Sequence, residues 1–211
     1  MKNIIIIGTG GLAREFASYF GEYSKQVSII GFLSKNKEEH HRFSLPGKLF
    51  MGEITPEIAG TDFAVICIGN PVLKKSISDR LKVEGFRFPC LVHPQSVVSD
   101  RVILEEGVVV SPNCTVSPNV TLKKFSYLNF GVGVGHDCTV GRYVQVNPGA
   151  QLGGFTNIDD ETIIGSSSTI LQGVTIGRSV KIALGSVVYS NVDDNSSMIG
   201  NPARRMRALE N

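Results

Sequence analysis

Two rhythms of hydrophobic and polar positions divide this chain. In the first part, "NIIIIG" is a continuous aliphatic run of the kind buried on both faces of a parallel sheet. In "GTGGLAREFASYFGEY", Leu12, Phe16, Tyr19 and Phe20 recur at helical spacing. "VSIIGFL" and "FAVICIG" read as the next buried strands, and "PVLKKSISDRLKVEG" as a helix after the third. This βαβαβ order predicts a small doubly wound α/β domain with right-handed crossovers, over residues 1–89.

Beyond "FRFPCLVHP" the period becomes six. Val98, Leu104, Val110 and every sixth residue on to Ile182 and Val188 are Val, Leu or Ile, sixteen positions without a slip. Four residues after each of the first fifteen stands Val, Cys, Ser, Ala or Thr. Glycine directly follows the aliphatic residue at Gly135, Gly141, Gly153, Gly165 and Gly177. One strand and one turn per six residues makes a three-faced prism, with the aliphatic residue on the axis and the small one where the chain turns. The 91 residues from Val98 to Val188 give about five coils, stacked at ~4.8 Å with backbone groups paired from coil to coil. The expected second domain is a parallel β-helix over 90–195, with a tail over 196–211.

Composition narrows the partners. Lys and Arg number 21 against 19 Asp and Glu, a net charge of +2 that points to neither nucleic acid nor an anionic membrane. The four cysteines have no CxxC or zinc spacing and read as reduced, mostly buried thiols. No His/Cys/Asp/Glu cluster has metal spacing. The opening "MKNIIII" is too short for a signal peptide, and no apolar run approaches a membrane span. The expectation is a soluble, cytoplasmic protein.

Candidate chemistry gathers in "LNFGVGVGHDCTVGRYV". In the six-residue frame Val134 faces the axis and Cys138 sits at a corner, as packing. His136, between them, should leave the prism. Asp137 stands beside it to orient the ring, and glycines at 131, 133 and 135 strip away bulk around it. Imidazole titrates near neutral pH, which suits proton transfer in the cell. His93, before Pro94, reads as a turn cap or a packing contact. His40 and His41 fall in "SKNKEEHHRF", read as a solvated loop. "GTGGLA" fits G-x-G-x-x-G/A after a strand and before a helix, a context for phosphate on backbone N–H groups. A dinucleotide site would also want an acidic residue at the end of the second strand, where this chain has Ser34, Lys35 and Asn36; NAD is not expected.

On "IIIIGTGGLARE", "VICIGNPVLKKSI", "FPCLVHPQSVVS", "NFGVGVGHDCTVG", "VNPGAQLGG" and "IGNPARRM", the sequence resembles the bacterial hexapeptide-repeat sugar acetyltransferases. These join a Rossmann-like N-terminal domain to a left-handed β-helix. The resemblance implies acetyl-CoA-dependent N-acetylation of a nucleotide-linked amino sugar, such as a 4-amino-4,6-dideoxy sugar, for surface polysaccharide or glycan synthesis. Sugar O-acetylation of the sialic acid type, or a non-catalytic scaffold that binds sugar nucleotides, are the alternatives. It implies His136 as general base, Asp137 as its acidic partner, and the Gly154 N–H as oxyanion donor. Asn129 falls near the acceptor, and Gly8, Gly10, Gly11, Ser34 and Lys35 fall on the nucleotide-sugar site. Leu12, Ser34 and Lys35 depart from the common family pattern there. It further implies a homotrimer, with acetyl-CoA passing Gly154, Ser166, Leu184 and Gly185. Arg204 or Arg205 would meet the phosphates, against a solvated terminal helix for the tail arginines, the reading preferred for Arg207.

Overall fold

The computed structural model describes residues 1–206 and divides into two units, Met1–Pro89 and a second that begins at Cys90. In the first unit the aliphatic runs become parallel strands β1 (Lys2–Ile7), β2 (Val27–Leu33), β3 (Lys48–Phe50) and β4 (Ala64–Ile66), in the order β3-β2-β1-β4. Ile4, Ile5, Ile6 and Ile7 of the central β1 are at most 3% exposed, because neighbouring strands and helices cover both faces. Burying each such side chain contributes roughly 1.5–3 kcal/mol. Helix α1 (Gly11–Phe16) runs on as π-helical turns through Ala17–Tyr23, and Phe16 stacks on Phe20 with ring centroids 4.6 Å apart.

Three short elements here were not expected. The segment read as a solvated loop forms α2 (Lys37–Arg42). Its residues suit a short helix: Asn36 Oδ1 accepts the Glu39 N–H at 3.1 Å, acids occupy the first turn, and His40, His41 and Arg42 the last. Strand β3 and a four-residue helix over Pro56–Ala59 are the others, too short to show a periodicity of their own. After α3 (Pro56–Ala59) and β4, helix α4 (Pro71–Val83) starts at Asn70, whose Oδ1 accepts the Leu73 N–H at 3.0 Å.

The second unit is a left-handed parallel β-helix built of two-residue strands. From Leu91–Val92 to Thr169–Ile170 each pairs with the strand eighteen residues later, as Thr121–Leu122 does with Thr139–Val140 and Gly133–Val134 with Gln151–Leu152. The strands form three sheets, the faces of the prism. Every sixth residue from Val110 to Val188 is at most 4% exposed, and the small residues four positions on share the same core. Where that small residue is Thr162 or Ser168, its hydroxyl donates to a carbonyl of the next coil, Gly177 O at 2.7 Å or Ala183 O at 2.9 Å. The recurrent glycines allow close stacking: a Cβ on Gly135 would stand 2.5 Å from Gly154 N, and one on Gly165 2.5 Å from Leu184 N.

Each turn holds one residue in left-handed backbone, at every sixth position from Gly107 to Gly185. Asn119, Asp137 and Phe155, all with φ near +60°, occupy successive coils of one such column. This geometry disfavours a residue with a Cβ by ~1–2 kcal/mol. The compensation is visible: from Phe125 to Gly185 each of these N–H groups donates to the carbonyl nineteen residues back, at 2.8–3.1 Å.

The boundary expected at 195 falls within the last coil. Ser197–Ile199 pairs in parallel with Lys181–Ile182, so the sheet runs on. Arg204–Arg205 is not helical either; it returns antiparallel against Ser197–Ile199, placing Arg204 opposite Ile199. Arg207 lies outside the described residues. Among the described residues no helix is long and apolar enough to cross a membrane.

Candidate active site

His136 leaves the prism as its phase requires, with its side chain 51% exposed. Val134 and Cys138 on either side are buried, so the strand and the core anchor the backbone while the ring projects. Nδ1 lies 2.8 Å from Asp137 Oδ2. A carboxylate only accepts, so in the neutral ring the proton sits on Nδ1 and the Nε2 lone pair is bare. The hydrogen bond from His136, and after it one from Asn119, hold the Asp137 carboxyl below the usual aspartate range. It is therefore an anion at neutral pH. Asn119 Nδ2 donates to Asp137 Oδ1 at 3.0 Å.

Gly154, eighteen residues on, lies directly over the ring. A Cβ there would stand 2.7 Å from His136 Nε2 and 2.8 Å from Cε1, so glycine alone leaves the nitrogen accessible. The Phe155 ring meets the imidazole edge-on at 5.0 Å, and its N–H donates to His136 O at 2.8 Å. The Gly154 N–H donates to no acceptor among the described residues. Asn119 and Phe155 were not anticipated as parts of this site. Their signal is the coil length: each is eighteen residues from Asp137.

The other expected residues are distributed as follows. Asn129 is buried, and its Oδ1 accepts the neighbouring Phe130 N–H at 2.8 Å, a local duty. Ser166 and Leu184 stack one coil apart on the prism edge next to that of His136 and Gly154, and Gly185 N–H donates to Ser166 O at 2.8 Å. Leu184 is 78% exposed. Arg204 is exposed on its terminal strand. His93 is buried, with Nδ1 accepting the Gln95 N–H at 3.3 Å, a turn contact. Among the described residues no three His, Cys, Asp or Glu side chains group as metal ligands.

In the N-terminal unit a cleft of about 680 Å³ opens at the carboxyl ends of the strands. This is where doubly wound sheets hold ligands, beside the point at which the strand order reverses. Gly8, Ser34 and Lys35 line it, together with Gly52, Glu53 and one face of α4: Leu73, Ser76, Ile77 and Arg80. Gly8 has φ +108° and would place a Cβ 3.1 Å from Cys67 O. Gly10 and Gly11 start α1 and are not part of the lining. The Ser34 hydroxyl is already engaged, 3.0 Å from Thr9 Oγ1 and accepting the Asn36 N–H at 3.0 Å. Thr9 Oγ1 in turn donates to Glu39 Oε2 at 2.8 Å, tying the glycine loop to α2. Glu53 and Arg80 went unnoticed in the sequence; the i, i+3, i+4, i+7 spacing of Leu73, Ser76, Ile77 and Arg80 is the trace that Arg80 left, and Glu53 left none.

A second charged group lies on the remaining prism edge. Asp160, its side chain 8% exposed, accepts the Arg142 N–H at 2.7 Å and bonds from Arg142 Nε and Nη2 at 2.9 and 2.7 Å. Burial pushes its carboxyl up, but the Arg142 hydrogen bonds and the Arg142 and Arg178 charges outweigh this and leave it lowered.

Comparisons with known proteins bear on both units of the chain. Residues 3–81 match the PglD N-terminal domain family. The chain is similar to a GDP-perosamine N-acetyltransferase of Escherichia coli O157:H7, 35% identical over 147 residues, or 67% of this chain and 66% of that one, just under two thirds of its length. The acetyltransferase domain of PglB from Neisseria gonorrhoeae FA1090, in complex with acetyl coenzyme A, superposes with a TM-score of 0.82 at 27% identity. The superposition covers 97% of this chain and 98% of that one. PerB from Caulobacter crescentus, in complex with CoA and GDP-perosamine, shares the fold, with a TM-score of 0.84 at 24% identity over 97% of each chain.

Proposed function

We propose that the chain is a member of the hexapeptide-repeat sugar acetyltransferase family and that it transfers acetyl from acetyl-CoA to the amine of a nucleotide-linked sugar. A 4-amino sugar of the perosamine type is the substrate class that the relative of known activity supports. The observation that carries the reading is the posture of His136: Nδ1 on Asp137, Nε2 bare beside a glycine whose N–H is unengaged.

In the proposed reaction the amine attacks the thioester carbon and loses a proton to His136 Nε2. The Gly154 N–H donates to the carbonyl oxygen as negative charge builds on it, an interaction stronger in the transition state than before it. As the tetrahedral intermediate collapses, the C–S bond breaks and the His136 proton goes to the departing thiolate. Asp137 stays ionised throughout and stabilises the transient imidazolium. For the acetyl-CoA arm Ser166 and Gly185 offer a small profile and Leu184 an exposed apolar side chain, and Arg204 offers a cation for its phosphates. Lys35 and Arg80 supply the cations of the N-terminal cleft for a nucleotide diphosphate. We also propose a homotrimer of three 22.8 kDa chains, the closed cyclic form that flat prism faces favour. Light scattering checks this, and an active monomer would refute it.

The test is acetyl-CoA consumption against a panel of nucleotide amino sugars, with His136→Ala beside the wild type. Loss of a general base lowers kcat by about 10²–10⁴. The melting temperature should hardly move, because the ring is half-exposed. Near-full turnover in the variant would remove His136 from the mechanism.

A further inference from the structure

His136 is held through a chain of contacts that reaches one coil below it. Asn119 and Asp137 are eighteen residues apart and share the left-handed turn conformation, with φ of 62° and 58°. The coil repeat therefore superposes their backbones and brings their side chains together. Asn119 presents its amide to Asp137 Oδ1 at 3.0 Å, and Asp137 presents Oδ2 to His136 Nδ1 at 2.8 Å. Because the carboxylate can only accept, the amide end facing it is the NH₂. Asparagine fits both requirements of the position, since it tolerates a left-handed backbone and carries a donor of this length.

We propose that Asn119 is the positioning residue of the base: by holding one oxygen of Asp137 it turns the other to His136 Nδ1 and so sets the tautomer that leaves Nε2 free. Asp137 is exposed and has a single-bonded side chain that would otherwise turn toward water. The carboxylate is held at both ends, by a ring and by an amide, as the orienting partners of histidines commonly are. The groups facing the imidazole can be named from every side. Its own turn supplies Asp137 and Cys138, the latter a thiol kept protonated by burial. The coil before supplies Pro118 and Asn119, and the coil after supplies Gly154 and Phe155. Among these Asp137 carries the charge. Holding it in place thus governs both the tautomer and the electrostatics of the ring.

The catalytic part of this inference rests on the acetyltransferase reading; the tautomer part does not. Asn119→Gly removes the amide and keeps a backbone at ease at positive φ. Asn119→Asp keeps the shape but sets a second carboxylate against the first. Two measurements on the full-length protein separate the possibilities. Ring ¹⁵N shifts of His136, read above its titration, should show the Nδ1–H form in the wild type and a mixture of tautomers in both variants. The kcat/KM profile for acetyl transfer should drop roughly tenfold in Asn119→Gly, less than the ~100-fold that a 1 Å misplacement can cost. Its acidic limb should move to lower pH in Asn119→Gly, where the anion is loosened, and to higher pH in Asn119→Asp, where negative charge is added. A merely structural asparagine would shift melting and neither of these. Unchanged ¹⁵N shifts in both variants, or limbs that fail to separate in an active enzyme, would overturn the proposal. Mixed tautomers in a protein that acetylates no amino sugar would uphold the positioning and sink the acetyltransferase reading instead.

Discussion

Gly154 and His136 meet so closely that a single methyl group on the glycine would stand 2.7 Å from the imidazole Nε2. The contact unites the two chemical demands of the site: an unobstructed base, and a backbone N–H beside it. Gly154→Ala should displace the ring from Asp137 while leaving the prism intact, since the atoms it strikes are the tip of one exposed side chain. The expected outcome is a kcat lowered by about 10–100-fold with melting changed by a few degrees at most. Steady-state kinetics and a thermal melt on the same preparation check it; wild-type turnover would mean that the ring has room to spare.

The Asp160 group makes a stability prediction with a definite sign. Its folded-state pKa is depressed, so its contribution is fully present above the ordinary aspartate value of 3.8 and is lost as pH falls through the folded value. Asp160→Asn keeps the shape and discards the charge that Arg142 and Arg178 face. At neutral pH it should cost about 1.5–3 kcal/mol, the range for hydrogen bonds to a charged group. The gap between wild type and variant should close as pH falls below about 4. A gap that persists to pH 2 would show that packing rather than charge is lost.

Thiol reactivity should follow burial. Cys67, Cys114 and Cys138 are buried and Cys90 is exposed. Burial pushes the Cys114 thiol up to about 11 and raises Cys67 and Cys138 as well, so thiolate, the reactive form, is scarce at all three. Iodoacetamide at pH 8 should modify Cys90 alone in the folded protein and all four after denaturation, read by intact mass. Prompt native labelling of Cys138 would show that the coil around His136 opens.

Arg204 tests where the acetyl-CoA phosphates lie. Arg204→Ala should raise the KM for acetyl-CoA by about tenfold, the loss of a charge-assisted hydrogen bond, and leave the KM for the sugar within twofold. A truncation after Ser197 is a poorer experiment, because Ala183 N–H donates to Met198 O at 2.8 Å and the last coil would lose a strand. An unchanged acetyl-CoA KM in Arg204→Ala would place the phosphates elsewhere.

The sequence by itself determined the prism, its axis and the outward phase of His136. A six-residue period has only one arrangement that buries every aliphatic position, and that arrangement leaves His136 no way to point inward. It also determined that the N-terminal strands are parallel, since an aliphatic run such as Ile4–Ile7 is buried on both faces of a sheet that helices cover. Tertiary structure decided what lies eighteen residues away. The meeting of Asn119 with Asp137, and of Gly154 with the imidazole, depends on coils stacked in register, and nothing in the local sequence of either residue announces its partner. The left-handed turns were hidden because Asp137, Tyr143, Phe155 and Glu161 accept a conformation usually given to glycine, stabilised by N–H bonds to the coil below. Helix α2 and strand β3 were equally hidden, because elements of six and three residues are too short for a period and owe their existence to a cap and a neighbouring strand.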